Sequence, residues 1–138
     1  MVPPVLADKI SSCKALAERP LSQHLLRELH ALLMNGVRGR DKTPGAFRNA
    51  QNWIGAPGCP IENANFISIP QEQLQSGMDR WSDYIGSEAE LDPLVHLAVV
   101  HAEFEALHPF KDGNGRLGRM IIPLFLYQRK ILSGPTST

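Results

Sequence analysis

The sequence predicts an all-α domain with one short β-hairpin set into it. Apolar residues recur at intervals of three and four through most of the chain. The one interval without that period, Gly36 to Pro70, is punctuated by Gly, Pro and Asn. Helix signals fall where the periodic stretches begin and end, with Ser22 and Asp92-Pro93 at starts and Pro20 and Gly36 at stops.

The first helix is expected over Val5, Ile10 and Leu16, stopping at Arg19-Pro20. Ser22 caps a second, in which Leu25, Leu26, Leu29, Leu32 and Leu33 form one face before Gly36 ends it. Two short strands are expected near Gln51–Ile54 and Ala64–Ile69, joined through Gly55-Ala-Pro-Gly-Cys-Pro as a hairpin or flap. Leu74, Met78, Trp81 and Ile85 predict a third helix. Asp92-Pro93 suits the cap and first turn of a fourth, apolar nearly all round from Leu94 to Leu107 and therefore expected to run through the core. A last helix is expected from about Gly115 to about Leu132, kinked at Pro123.

With 138 residues, the expectation is a single domain over 1–138. Lys and Arg number 14 against 14 Asp and Glu, and zero net charge excludes a protein that coats nucleic acid through excess cations. Cys13 and Cys59 form neither a CxxC clip nor a disulfide framework, which points to a reducing, cytoplasmic setting. The longest apolar run, Met120 to Tyr127, contains Pro123 and is far below the roughly 18 residues a bilayer span needs. The amino end lacks the basic and apolar regions of a secretory signal, so no membrane role is expected.

The chemistry concentrates in His108-Pro-Phe-Lys-Asp-Gly-Asn-Gly-Arg-Leu-Gly-Arg119. Imidazole is the side chain best suited to accept a proton at neutral pH, although a lone His108 at a helix end is more often a packing or capping residue. Asp112 offers the hard oxygen that Mg²⁺ accepts, and a loop Asp alone is an ordinary turn residue. Gly113-Asn114-Gly115 lets backbone approach a ligand and leads into a helix amino terminus with unpaired N–H groups. Arg116 and Arg119 follow on one face. Arginines there oppose the helix dipole, so an anion in front of the helix accounts for them where the dipole does not.

This stretch resembles the defining motif of the Fic domain (filamentation induced by cAMP), His-Pro-Phe-x-Asp-Gly-Asn-Gly-Arg-x-x-Arg, unbroken from His108 to Arg119. Gly36-Val-Arg-Gly-Arg, Thr43-Pro-Gly-Ala-Phe-Arg and Gln51-Asn-Trp-Ile-Gly are similar to the segment before the family's flap, so the resemblance spans about Leu21 to Pro135. It implies a helical fold with a flap over the active site, and transfer of AMP from ATP to a Tyr, Thr or Ser hydroxyl of a target protein. His108 would be the general base, and Asp112 would hold Mg²⁺ between the α- and β-phosphates. Gly113, Asn114 and Gly115 would cradle the phosphates, with Arg116 at the β/γ end, Arg119 on the γ-phosphate, and Leu117 and Gly118 within the nucleotide-binding helix. Phe110 would anchor the loop. Asn63, Ala64, Asn65 and Phe66 would cover the nucleotide, while Ile67, Ser68 and Ile69 would dock the target as an added strand.

Other readings compete. His101, Glu105 and His108 share a helical stripe, and Glu105-x-x-His108 resembles a di-iron motif, but the chain has no second Glu-x-x-His. Related phosphotransferases of the Doc type alter the Gly-Asn-Gly-Arg portion, which is intact here. Members transferring phosphocholine share the motif, and a non-catalytic nucleotide-binding domain is a further alternative. The family's inhibitory Ser/Thr-x-x-x-Glu helix has no match, since Ser68 to Glu72 contains Pro70 and lies in the flap. An inhibitory glutamate is therefore expected from a partner in trans, or from a longer protein of which this chain is a fragment. Similar domains continue past the point matching Ser133-Gly-Pro-Thr-Ser-Thr into helices that finish the adenine pocket, so the resemblance implies an incomplete pocket in this chain. The neutral total hides a division: Gln71 to Leu107 holds eight acids and one base, whereas His108 to Thr138 holds five bases and one acid.

Overall fold

The structure, a computed structural model, describes residues 15–36, 40–87 and 92–131. The helix expected over Val5 and Ile10, Cys13, Arg38 and the tail from Leu132 lie outside the described residues, although 15–17 are helical. Four helices follow: α1 (Gln23–Leu33), α2 (Gln71–Gly86), α3 (Pro93–Leu107) and α4 (Asn114–Gln128). Between α1 and α2 lies an antiparallel pair, β1 (Trp53–Ile54) and β2 (Phe66–Ile67), in the register Trp53↔Ile67 and Ile54↔Phe66.

The starts follow the sequence signals. The Ser22 hydroxyl accepts from the Leu25 N–H at 3.3 Å, and the Asp92 carboxylate accepts from the Leu94 N–H at 2.8 Å, each satisfying a first-turn donor that has no helical partner. The ends are shorter than expected. Helix α1 stops at Leu33, and α4 stops at Gln128, two residues before Lys130 turns left-handed at φ 61°. Pro123 lies inside α4, where its missing N–H leaves one turn of the ladder unbonded.

Helix α3 packs between α2 and α4, and α1 lies against both of those. The core joins Leu25, Leu26 and Leu29 of α1, Met78 and Trp81 of α2, Val100 and Phe104 of α3, and Leu117, Ile121 and Phe125 of α4. The buried Trp81 indole N–H donates to the Val100 carbonyl at 2.9 Å, so the largest core side chain leaves no polar atom unpaired. Contrary to the expectation for an all-round apolar helix, α3 is only half covered. Leu97, Val100, Phe104 and Leu107 are inside, whereas Leu94 and Val95 are 62% and 48% exposed. The helices packed most closely on it, α2 and α4, leave the side that carries Leu94 and Val95 open. No helix of the described residues is long and apolar enough to cross a membrane.

Candidate functional site

The motif occupies the corner between α3 and α4. His108 caps α3 in the left-handed region, at φ 47° and ψ 58°. Pro109 prevents the helix from continuing, and the left-handed conformation of a residue with a Cβ costs about 1–2 kcal/mol. The compensation is on the His108 carbonyl, which accepts from Arg48 Nε at 2.9 Å and from Asn52 Nδ2 at 3.3 Å. Strain held in place by surrounding bonds is common at functional sites.

Phe110 is fully buried and fastens the loop. Its ring stacks on the His30 imidazole at 3.9 Å and meets Phe47 at 5.4 Å. The Asn114 carboxamide closes the turn: its Oδ1 accepts from the Phe110 N–H at 2.9 Å, and its Nδ2 donates to the Phe110 carbonyl at 2.7 Å. With its side chain committed there, Asn114 offers a ligand its backbone N–H. His30 braces the outer half of the loop. Its Nδ1 accepts from the Gly45 N–H at 2.9 Å, so Nε2 carries the proton and donates to the Asp112 carbonyl at 2.8 Å. Burial lowers the His30 pKa, opposed by Asp112 and reinforced by Arg116, and the ring stays neutral.

At the next corner Gly113 adopts φ 84° as the cap of α4, a conformation glycine reaches without a Cβ penalty. Its N–H is taken by Asp112 Oδ1 at 2.8 Å, leaving the other oxygen of this exposed carboxylate free. The Leu117 N–H is the first to bond back into the helix, to the Gly113 carbonyl at 3.1 Å. The N–H groups of Asn114, Gly115 and Arg116 therefore have no helical acceptor, and they stand at the positive end of the dipole. Arg116 and Arg119 flank them, both exposed, with Arg116 Nη2 3.6 Å from the Met34 sulfur. Leu117 and Gly118 face inward. A Cβ at Gly118 would collide with the Glu105 carboxylate, which pairs with His101 Nε2 at 3.5 Å.

The His108 ring is partly buried, and its Nδ1 has no partner of good hydrogen-bond geometry. Desolvation lowers its pKa first and the positive charge of Arg48 second, while the Glu105 carbonyl beside it opposes the shift. A neutral imidazole at pH 7 is the form that accepts a proton.

The flap stands beside this corner. Asn52 reaches the carbonyls of both His108 and Phe110 at 3.3 Å, tying the foot of β1 to the motif loop. Trp53, Ile54, Phe66 and Ile67 are all exposed, and the Trp53 indole donates to the Cys59 carbonyl at 2.9 Å across the hairpin end. The expected docking segment divides in two. Ser68 is buried and its carbonyl accepts from Gln51 at 2.6 Å, while the Ile69 carbonyl accepts from Arg48 at 2.6 Å and its side chain packs on the core. Phe66 and Ile67 keep exposed side chains. Among the described residues, Asn63, Ala64, Asn65 and Phe66 make no hydrogen bond to the motif loop; the Asn65 N–H instead pairs with the Ile54 carbonyl at 2.7 Å.

His30, Arg48 and Asn52 are site residues that motif reasoning missed. A signal existed for His30, four residues after Leu26 on the apolar face of α1. Arg48 and Asn52 lie within the segments similar to the family's flap approach, which carry no residue roles by themselves.

These features define a class: a helical domain presenting a histidine at one helix end, an open helix amino terminus at the next, and an exposed hairpin beside them. The sequence profile of the Fic/DOC family matches residues 20–126, and the chain belongs to that family. A probable protein adenylyltransferase of Aquifex aeolicus (strain VF5) is 33% identical over 73 residues, covering 53% of this chain and 23% of that protein. Protein adenylyltransferase fic-1 of Caenorhabditis elegans is 27% identical over 84 residues, covering 59% and 15%. The chain thus spans less than a quarter of the length of these two curated relatives. The crystal structure of a Fic domain-containing signalling protein from Bacteroides thetaiotaomicron superposes with TM-score 0.68 at 25% identity, covering 91% of this chain and 46% of that one.

Proposed function

We propose that this chain carries the transfer centre of a protein adenylyltransferase, moving AMP from ATP to a Tyr, Thr or Ser hydroxyl of a target protein. The observation that carries the reading is the junction of α3 and α4. It sets a desolvated, neutral His108 beside a helix amino terminus with three unpaired N–H groups and two exposed arginines. Membership of a family whose relatives include named protein adenylyltransferases supports it.

In this reading the acceptor oxygen attacks the α-phosphorus, the bond to the β-phosphate breaks, and pyrophosphate leaves. His108 takes the hydroxyl proton on Nε2, the nitrogen away from the buried Nδ1. The amides of Asn114 and Gly115 and the guanidinium groups of Arg116 and Arg119 hold the phosphate charge, the main task that such transfer sets a protein. The free oxygen of Asp112 is a hard donor that fits Mg²⁺, which when bound neutralises charge on the phosphates. Phe66 and Ile67 receive the target as an added strand, and Asn63 to Phe66 close over the nucleotide. A partner glutamate paired with Arg119 would exclude the γ-phosphate and inhibit in trans.

The test is incubation of the purified chain and lysate protein with Mg²⁺ and ATP labelled at either the α- or the γ-phosphate. Protein labelled from the α-position alone is expected. Label from the γ-position would assign phosphoryl transfer, label only from CDP-choline would assign that donor, and no label from any would leave a nucleotide-binding domain.

A further inference from the structure

Arg48 is buried, 6% exposed, and among the described residues no carboxylate pairs with it. Its guanidinium is held by carbonyls alone: His108 at 2.9 Å, Leu107 at 3.2 Å, Ala50 at 3.0 Å and Ile69 at 2.6 Å. Its backbone N–H donates to the Pro109 carbonyl at 2.8 Å. Leu107 and His108 supply the last carbonyls of α3, where unpaired acceptors and the negative end of the dipole favour a cation. Ile69 is the foot of β2, and Ala50 lies on the approach to β1.

We propose that Arg48 is a positioning residue for the transfer: one guanidinium bonded to the end of α3 and to the foot of the flap fixes the base and the target-bearing strand in a single frame. The proposal rests on the adenylyl-transfer reading above. The acceptor hydroxyl enters on the flap and loses its proton to His108, so any play between the two separates the reacting atoms. Small misplacements of this kind cost rate far more than they cost nucleotide binding.

The choice of partners matters as much as the reach. A carboxylate beside Arg48 would cancel its charge and favour the imidazolium form of His108, whereas carbonyl ligands hold the cation in place with its charge intact. Arg48 is the charged group facing His108 from outside the motif. Glu105, on the same helix, turns its carboxylate to His101 and Gly118, and Asp112, Arg116 and Arg119 make no hydrogen bond to the ring. Lysine cannot substitute, because one ammonium cannot span four carbonyls that the planar guanidinium fork meets from different sides.

The test compares the full chain with Arg48→Lys and Arg48→Met, using NMR titration of the His108 ring and the kinetics of AMP transfer. The wild-type ring is expected to titrate below free imidazole, the Lys variant to stay close to it, and the Met variant to titrate higher. In Arg48→Lys, kcat should fall about tenfold or more with KM for ATP held within about twofold, because positioning is lost and nucleotide binding is not. Identical ring titration in all three proteins, or wild-type kcat in Arg48→Lys, overturns the proposal. If Arg48→Met does not fold, wild type and Arg48→Lys decide through kcat and KM, and a wild-type kcat in Arg48→Lys overturns it. A wild-type chain that transfers no AMP refutes the proposed function, while the ring titrations still decide for or against Arg48.

Discussion

The motif loop, 108–114, and the flap, 51–69, sit side by side and are built on opposite principles. The loop is braced from within: Phe110 is buried between His30 and Phe47, and Asn114 pins both polar groups of the Phe110 backbone. The flap has strands of two residues and four exposed apolar side chains, and its side-chain bonds to the rest of the domain are at its foot. Proton transfer and charge neutralisation need groups fixed before the substrate arrives, whereas recognition of an extended segment needs an unpaired edge. Low local stability in the flap and high local stability in the loop are the expected result.

The comparison breaks most sharply by truncation. Phe110→Ala should destabilise the domain by about 3–5 kcal/mol, while Phe66→Ser should stay within about 0.5 kcal/mol and yet weaken target modification. Urea unfolding of both variants checks this, and equal losses would contradict the division. Asn114→Ala leaves the Phe110 N–H buried without a partner and its carbonyl with Asn52 alone, and should cost about 1–3 kcal/mol, read in the same experiment.

Acidity separates the regions next. The pKa values of His30 and His108 are both lowered in the folded state, so between those values and about 6.5 the unfolded chain binds more protons. Stability should rise with pH through that window and show no further gain from these groups above it. The urea midpoint should therefore fall on acidification below about pH 6.5, less steeply in His108→Gln. An unchanged slope in that variant would remove His108 from the account. The smallest effect is kinetic: the Asn65 amide of the flap should exchange with solvent faster than the Leu117 amide at the first closed turn of α4.

Much of this division was legible in the sequence. Apolar spacing and the caps at Ser22 and Asp92-Pro93 placed the helices, and the motif identified the corner. The flap strands are shorter than their residue types suggested, because Gln51, Asn52 and Ser68 spend side-chain bonds where a ladder would have continued. Periodicity does not register such bonds. His30 and Arg48 act on residues 82 and 60 positions away, a separation that no local pattern encodes. Asn114 was expected to cradle the phosphates; its side chain is committed to the Phe110 backbone, whose buried N–H has no other partner, so what it offers a ligand is its own N–H.

The central claim is that His108 serves as the base while the start of α4 holds the phosphates, and it is tested most directly by His108→Ala. The variant should lose about 10²–10⁴-fold in the rate of AMP transfer from α-labelled ATP, with ATP affinity by calorimetry within about twofold of wild type. Transfer by His108→Ala at the wild-type rate would contradict it.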